Sequence, residues 1–156
     1  MTDFSKINWK GPQPAPVHLA KRLRVNFPQI TSTGIYNDRN VAGTEKKSSH
    51  AEGRALDIHL SANNPDQLSL GNQLFDVLIR KASVLGIDNV IWNRQIWSQV
   101  HKYKRPYNGK SPHTDHIHVE FTRAGSQLHL LKEIEADIAI IRTGIEDLRK
   151  QNNNIA

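Results

Sequence analysis

Two short polar clusters hold most of the side chains in this chain that could bind a metal ion. The first contains His50 and Asp57, and the second, much later in the chain, contains His113, His116 and His118. A catalytic zinc takes three nitrogen or oxygen ligands from the protein and leaves its fourth position open for water. Two ligands from the first cluster and one from the second would meet this need. The sequence therefore predicts a metallohydrolase.

The composition restricts both the ligands and the partners of such a site. The chain has no cysteine, so any metal must be held by His and carboxylate side chains. Its 156 residues fit one domain, and its net charge of +6 favours an anionic partner such as a nucleic acid, a membrane surface or a bacterial cell wall. We find neither a secretory signal nor an apolar run long enough for a membrane span, so we expect synthesis in the cytoplasm.

Two segments with alternating polarity must position the clusters. Segments 55–60 and 116–122 each place apolar side chains on one face and polar side chains on the other, which is typical of half-buried strands. Antiparallel pairing with Asp57 opposite His118 would bring their Cβ atoms to roughly 4.5–5.5 Å, close enough for both to reach one ion. His50, in the turn before the first strand, could then close the third side.

The rest of the chain predicts an α+β fold, with a small antiparallel sheet that carries the site on one face and helices packed on the other. Apolar spacing, prolines and glycines mark the expected elements. These are a helix with Pro16 in its first turn that ends at Phe27, a strand over 30–37, a helix from Pro65 to Leu85 stopped by Gly86, and a strand over 89–98.

The end of the chain predicts an amphipathic helix. Its apolar residues recur at spacings of three and four, and they are Leu131, Ile134, Ile138, Ile141, Ile145 and Leu148. Such a helix either docks on its own domain or self-associates as a short coiled coil, and the sequence leaves both alternatives open. We therefore expect a catalytic domain over 1–127 with a proline-rich start, a helix over 128–150 and a frayed tail over 151–156.

The two clusters also resemble a known family. Residues 48–57 read S-x-H-x-x-G-x-A-x-D, and residues 115–118 read D-H-x-H. These paired motifs are similar to those of the LAS zinc peptidases, named for lysostaphin, the D-alanyl-D-alanine metallopeptidases and sonic hedgehog, and the similarity extends from about residue 30 to 123. The resemblance implies Zn²⁺ as the cofactor, with His50, Asp57 and His118 as its ligands.

Two branch signatures of that family overlap in the second cluster. D-x-x-H, found in L-alanyl-D-glutamate endopeptidases, matches residues 115–118, whereas H-x-x-H-x-H, found in penicillin-insensitive murein endopeptidases, matches 113–118. The resemblance places His116 in the catalytic position. Because the signatures differ, the identity of the base stays open; our preferred assignment is Asp115 as base, with His116 or His113 as the donor to the oxyanion.

Other polar and aromatic residues could support the site. Arg54 and Arg94 are candidates for substrate binding, because Arg binds carboxylates in a forked geometry. Trp92, Trp97 and Tyr107 could line a groove, although core packing of at least one Trp is the more ordinary interpretation.

Two further residues lie on the polar faces of the predicted strands. His59 shares its face with Asp57, and Glu120 shares its face with His118. Either could orient a ligand by hydrogen bonding. The ordinary alternative for both is a role at the surface.

The leading hypothesis is a peptidoglycan hydrolase that cuts a peptide bond in the stem peptide or cross-link. It would act on the cell wall or in the periplasm after non-classical release or delivery, as an endolysin, a tail lysin or a delivered toxin. One alternative is a zinc-bearing wall-binding module without catalysis, as in the hedgehog branch. A metal-dependent nuclease is a further alternative, but no recognisable nucleic-acid motif supports it, so we expect no nucleic-acid partner.

Overall fold

The computed structural model describes residues 3–129 and 132–155, which form an α+β fold as predicted. Its α-helices are α1 (Pro14–Asn26), α2 (Pro65–Arg80), α3 (Ala82–Leu85) and α4 (Lys132–Ile155). Its strands are β1 (Thr33–Gly34), β2 (Ala55–His59), β3 (Ile87–Trp92), β4 (Gln95–Ser98), β5 (Arg105–Pro106) and β6 (His116–Phe121). Short 3₁₀ turns lie at Phe4–Lys6, Ser49–Glu52 and Gly125–Gln127.

The strands form one antiparallel sheet in the order β1-β2-β6-β3-β4-β5. On the face that the helices cover, Leu56 of β2 lies opposite Val119 of β6, and both are fully buried. On the other face, Asp57 lies opposite His118. The predicted antiparallel pairing of these two segments is therefore confirmed, and it separates a core face from a polar face.

The first strand is much shorter than predicted. Of the segment 30–37, only Thr33–Gly34 pairs with β2. Directly afterwards, the carbonyl of Ile35 accepts a hydrogen bond from the His50 ring, and the backbone N–H of Asn37 donates to the His50 carbonyl. The segment leaves the ladder because its backbone groups bind the turn that carries His50.

The segment predicted as one strand over 89–98 is a hairpin of β3 and β4. Its two-residue turn consists of Asn93 and Arg94, which have φ values of +45° and +65°. Positive φ at both positions matches the twist of a two-residue hairpin, and Asn tolerates it more readily than Arg does. Trp92 and Trp97 on either side of the turn are buried in the core, which agrees with the ordinary interpretation of core packing.

The first two long helices follow ordinary rules for helix ends. α1 begins at Pro14, two residues before Pro16, because a proline in the first turn lacks only an N–H that has no partner there. α2 begins after Asn64, whose side chain accepts hydrogen bonds from two backbone N–H groups of the first turn. The predicted stop at Gly86 is confirmed, since that glycine ends α3 with φ +66°.

The last helix docks on its own domain through its first half. The buried apolar residues of this half are Ile134, Ile138 and Ile141. Arg80 of α2 also donates to Asp137 of α4 at 2.8 Å. Leu148, further along the same pattern, is exposed, so the docked interface does not include the end of the helix.

The bounds of α4 differ from the predicted 128–150. The helix runs from Lys132 to Ile155 and so continues into the segment 151–156 that was expected to form a frayed tail. No Gly or Pro follows Gly144 to stop it. Leu131 and Ala156, which belong to the predicted helix and tail, lie outside the described residues. Over residues 3–129 and 132–155, no helix combines the length and apolar composition needed to cross a membrane.

Candidate metal centre

His50 lies in the 3₁₀ turn Ser49–Glu52, directly before β2. The side-chain oxygen of Ser48 caps the start of this turn by accepting a backbone hydrogen bond. Gly53 ends the turn with φ +65°, and a Cβ there would lie 1.7 Å from the carbonyl oxygen of Gly11. Only glycine fits this conformation and this close approach.

The structure brings His50, Asp57 and His118 together. One ligand atom from each lies within 4.8 Å of the other two. His50 Nε2 is 3.2 Å from Asp57 Oδ2 and 3.3 Å from His118 Nδ1, and His118 Nδ1 is 2.9 Å from Asp57 Oδ1. These three residues could hold a metal ion, as predicted.

A backbone carbonyl determines which nitrogen of His50 faces this group. His50 Nδ1 is 2.7 Å from the carbonyl oxygen of Ile35. Because a carbonyl can only accept, Nδ1 carries a proton and donates it. Nε2 then faces Asp57 and His118 and is the nitrogen that could bind an ion. Histidines that bind metals are commonly oriented in this way by a hydrogen bond from their other nitrogen.

Two carboxylates flank His118. Its Nδ1 donates to Asp57, and its Nε2 lies 3.9 Å from Glu120 Oε2. Burial by itself lowers the pKa of His118, but hydrogen bonding and the charges of Asp57 and Glu120 outweigh burial and raise it to about 9. Burial likewise opposes ionisation of Asp57, but His118 and His50 hold the pKa of Asp57 well below its usual value. A cation that binds at neutral pH must therefore displace a proton from His118.

His116 and Asp115 form a hydrogen-bonded pair beside the three candidate ligands. His116 Nδ1 donates to Asp115 Oδ1 at 2.8 Å, and His116 Nε2 lies 3.7 Å from Asp57 Oδ1. The Asp115 side chain is 79% exposed. His116 thus contacts the candidate ligands through Nε2, and Asp115 contacts His116.

His113 lies next to the same group in a strained backbone conformation. Its φ is +52°, its side chain is buried, and its Nδ1 donates to the carbonyl of Ser111 at 2.7 Å. Its ring centroid is 4.7 Å from that of His116. Burial, together with the nearby His116, lowers the pKa of His113 to about 4, so the ring is neutral at pH 7.

The hydrogen bond of His113 changes its predicted role. Since Nδ1 carries the only ring proton of the neutral side chain, Nε2 can accept a hydrogen bond but cannot donate one. The role of oxyanion donor, which the sequence suggested as one alternative for His113, requires a donor. The structure therefore argues against that role for His113.

The structure also argues against Arg54 as a substrate-binding residue. Its side chain is only 18% exposed. Nε donates to Glu52 at 2.6 Å, and Nη1 donates to Glu120 at 2.7 Å and to the carbonyl of Phe121 at 2.8 Å. Ala55, the next residue, lies opposite Glu120 in the sheet, and this register brings Arg54 close to Glu120. The guanidinium therefore binds groups within the protein.

Arg94 remains available for substrate. It is exposed at the tip of the β3–β4 hairpin, and its backbone N–H donates to the carbonyl of Pro112 at 2.9 Å. The backbone N–H of Tyr107 donates to the Arg94 carbonyl, and the Tyr107 ring packs edge-on against His113 with centroids 5.1 Å apart. The hairpin tip is therefore attached to the loop that carries His113.

Sequence reasoning missed the groups that orient these histidines. The carbonyls of Ile35 and Ser111 accept from His50 and His113, and no sequence pattern marks them because every residue has a carbonyl. Asn89 was also missed, although it lies opposite Glu120 in the register of β3 and β6 and donates to it at 3.0 Å. No alternation along β3 marks Asn89, because the apolar Ile91 lies on the same face of the strand.

Fold and site together define an α+β domain with a candidate metal centre on the polar face of its sheet. The family described as "VldE, C-terminal domain" matches residues 8–118, and the chain belongs to this family. The matched range includes His50, Asp57 and His118 and ends before α4. No curated protein and no solved structure matches the chain.

Proposed function

We propose that this protein is a zinc-dependent peptidoglycan peptidase that hydrolyses a peptide bond in the stem peptide or cross-link of the bacterial cell wall. The observation that carries the proposal is the convergence of two imidazoles and one carboxylate beside an oriented His116. The resemblance of the two motifs to LAS zinc peptidases supports the choice of substrate. An endolysin, a tail lysin or a delivered toxin would fit such an activity.

The donor set fits zinc. Zinc accepts imidazole nitrogens and carboxylate oxygens at about 2.0–2.2 Å, and tetrahedral ligands at that distance lie roughly 3.3 Å from one another. The separations among His50, Asp57 and His118 are 2.9–3.3 Å. A bound zinc would supply a Lewis acid that polarises the scissile carbonyl and acidifies water.

His116 is the residue that we assign to proton transfer. Its Nδ1 donates to Asp115, so Nε2 of the neutral ring carries a lone pair and faces the centre. An imidazole held this way can take a proton at Nε2 and return it to the leaving amine. Asp115 then orients the ring and stabilises its protonated form, which revises our preferred assignment of Asp115 as base.

A basic segment beside the site supports an anionic polymer as substrate. Residues 93–112 contain five Lys and Arg residues, namely Arg94, Lys102, Lys104, Arg105 and Lys110, and no Asp or Glu, although Lys104 pairs with Asp76 of α2. The segment is attached to the loop of His113 through the backbone hydrogen bonds of the β3–β4 turn. Bacterial walls carry negative charge, and clustered cations raise the local concentration of such a polymer, with a strength that falls as salt rises.

The experiment that tests this proposal is digestion of purified peptidoglycan by the zinc-loaded protein. We expect new free amino groups as peptide bonds are cut, and no nicking of plasmid DNA in a parallel reaction. The matched control is His129→Gln, which alters an exposed histidine that contacts His18 of α1. This variant should digest walls as the unaltered protein does, whereas His116→Gln should not.

Walls of several stem-peptide chemistries should be used, because the cleaved bond depends on the substrate. No release of amino groups from any of them by the zinc-loaded protein would contradict the proposal. Binding to walls without any release, unchanged by His116→Gln, would instead identify a zinc-bearing wall-binding module. Mass spectrometry of the fragments would distinguish endopeptidase from carboxypeptidase action.

A further inference from the structure

We infer that Arg54 and Glu120 are positioning residues of the metal centre. Arg54 connects the turn that carries His50 to the strand that carries His118, and Glu120 accepts the Nε2 proton of His118 when Nδ1 binds the ion. This inference rests on the metal-binding part of the proposed function.

Arg54 bridges the two segments that supply the ligands. Its Nε donates to Glu52, which belongs to the 3₁₀ turn of His50. Its Nη1 donates to Glu120 and to the carbonyl of Phe121, which both belong to β6 with His118. One planar guanidinium therefore holds both ligand-bearing segments in a fixed relation.

The backbone around Arg54 ties the same two segments. The N–H of Arg54 donates to the carbonyl of Ser49, next to His50, at 3.1 Å. The carbonyl of Arg54 accepts from the N–H of Phe121 at 2.9 Å. The side chain and the backbone of Arg54 therefore bridge the same two elements.

Glu120 is positioned to accept a hydrogen bond from the second ring nitrogen of His118. The two residues are two positions apart on β6, so their side chains share the polar face. Glu120 Oε2 is 3.9 Å from His118 Nε2 and accepts from Asn89 at 3.0 Å, while Oε1 accepts from Arg54. When His118 Nδ1 binds a metal ion, the proton must reside on Nε2, and carboxylates are common partners for that proton.

The charges of this layer balance one another. Glu52 and Glu120 are about four-fifths buried, and each faces Arg54 at hydrogen-bond distance. Arg123 donates to Glu52 from the outside at 2.5 Å and lies over the ring of Trp9. Removing the cationic partner of a partly buried carboxylate costs free energy. Loss of the forked Arg54 guanidinium should therefore disturb the turn and the strand together.

The test compares zinc affinity in Arg54→Lys with that in Arg80→Lys. Both substitutions keep the positive charge and remove the guanidinium fork, but Arg80 pairs with Asp137 between α2 and α4, away from the polar face. We expect Arg54→Lys to weaken zinc binding by about 10- to 100-fold, as for other residues that orient metal ligands, and Arg80→Lys to leave it unchanged. Competition with a chromophoric chelator at fixed pH measures the affinity.

A second variant keeps the inference testable if Arg54→Lys does not fold. Glu120→Gln preserves the size of the side chain, but its amide N–H₂ would face the donors of Asn89 or His118, and we expect a similar loss of affinity. In the zinc-loaded protein, ¹⁵N NMR of the ring should show His118 protonated at Nε2, with that proton exchanging faster with water in Glu120→Gln. A purely structural role would lower the melting temperature without altering either readout.

The outcomes separate this inference from the proposed function. Unchanged zinc affinity in a folded Arg54→Lys or Glu120→Gln protein would overturn the positioning role while the metal site stands. An unaltered protein that binds no zinc would overturn the proposed function itself. If the variants bind zinc more weakly but the unaltered protein does not cut the walls, the positioning role stands and only the peptidase activity is rejected.

Discussion

The three candidate ligands and the residues that flank them are held in different ways. Asp57 and His118 face each other in the register of two adjacent strands, and His50 is 4% exposed in a capped turn. Asp115 is 79% exposed at the edge of β6, and His113 occupies a strained loop position. Sheet register and a buried turn hold the three candidate ligands, whereas Asp115 and His113 lie outside the strands and are held by hydrogen bonds. Metal retention and turnover should therefore be separable by mutation.

The largest effect should come from removing a ligand. His118→Ala deletes one of the three candidate ligands and leaves Asp57 without its main hydrogen-bond partner. Zinc affinity should therefore fall by more than the roughly 100-fold expected for loss of a residue that only orients a ligand. Metal analysis after dialysis measures the loss. Asp115→Ala is the matched variant from the flanking group and should retain zinc. Retention of zinc by His118→Ala would contradict the role of His118 as a ligand.

The second effect concerns turnover in the flanking group. If His116 transfers protons, His116→Gln should lower the rate of wall digestion by about 10²- to 10⁴-fold while zinc stays bound. Asp115→Asn should lower the digestion rate less, because the His116 ring keeps its place on β6. Zinc content and digestion rate are measured on the same preparations. An equal loss of zinc and activity in His116→Gln would instead make His116 a ligand.

The third prediction concerns the pH dependence of metal binding. The pKa of His118 is raised to about 9 in the metal-free protein, so each bound ion displaces that proton at lower pH. Zinc affinity should therefore rise about tenfold per pH unit up to about pH 8 and level off above pH 9, a gain of roughly 50-fold between pH 7 and pH 9. Titration in buffers that do not bind zinc would check this slope. A flat profile would mean that His118 is neutral before the metal arrives.

The same group predicts the opposite trend for the stability of the metal-free protein. Because the pKa of His118 is higher in the folded protein than its ordinary value of 6.5, protonation of His118 stabilises the fold. This contribution to the free energy of unfolding is complete below about pH 6.5 and is lost as the pH rises through about 9. Thermal unfolding of the metal-free protein should show a loss of at most about 3 kcal/mol between those pH values. His118→Ala should remove most of this dependence, which distinguishes it from the titration of other groups.

The smallest effect should come from the strained loop. His113→Asn places a residue that tolerates positive φ at a position where His has φ +52°. Relief of backbone strain opposes the loss of packing against Tyr107, so the free energy of unfolding should change by no more than about 1 kcal/mol. Denaturant unfolding measures this change. A loss of several kcal/mol would show that His113 belongs with the sheet-held group.

Periodicity in the sequence predicted the elements that form the centre of the sheet. The alternation in β2 and β6 predicted that Asp57 and His118 share the polar face, because a one-residue slip would turn the apolar side chains out of the core. A two-residue slip would keep the same faces, so the pairing of Asp57 with His118 itself is seen only in the structure. The β3–β4 hairpin was missed because Arg94 gives no turn signal. The early end of β1 was missed because its backbone groups bind a turn that is distant in sequence.

Local periodicity and residue type were enough to predict the fold class and the group of side chains that could bind a metal. They were not enough to predict which nitrogens of His50 and His113 are protonated, how Asp115 pairs with His116, or how Arg54 lies between two carboxylates. These depend on contacts with Ile35, Ser111 and Glu120 across the fold. Hydrogen-bond direction and burial exist only once distant segments meet, and no local pattern encodes them.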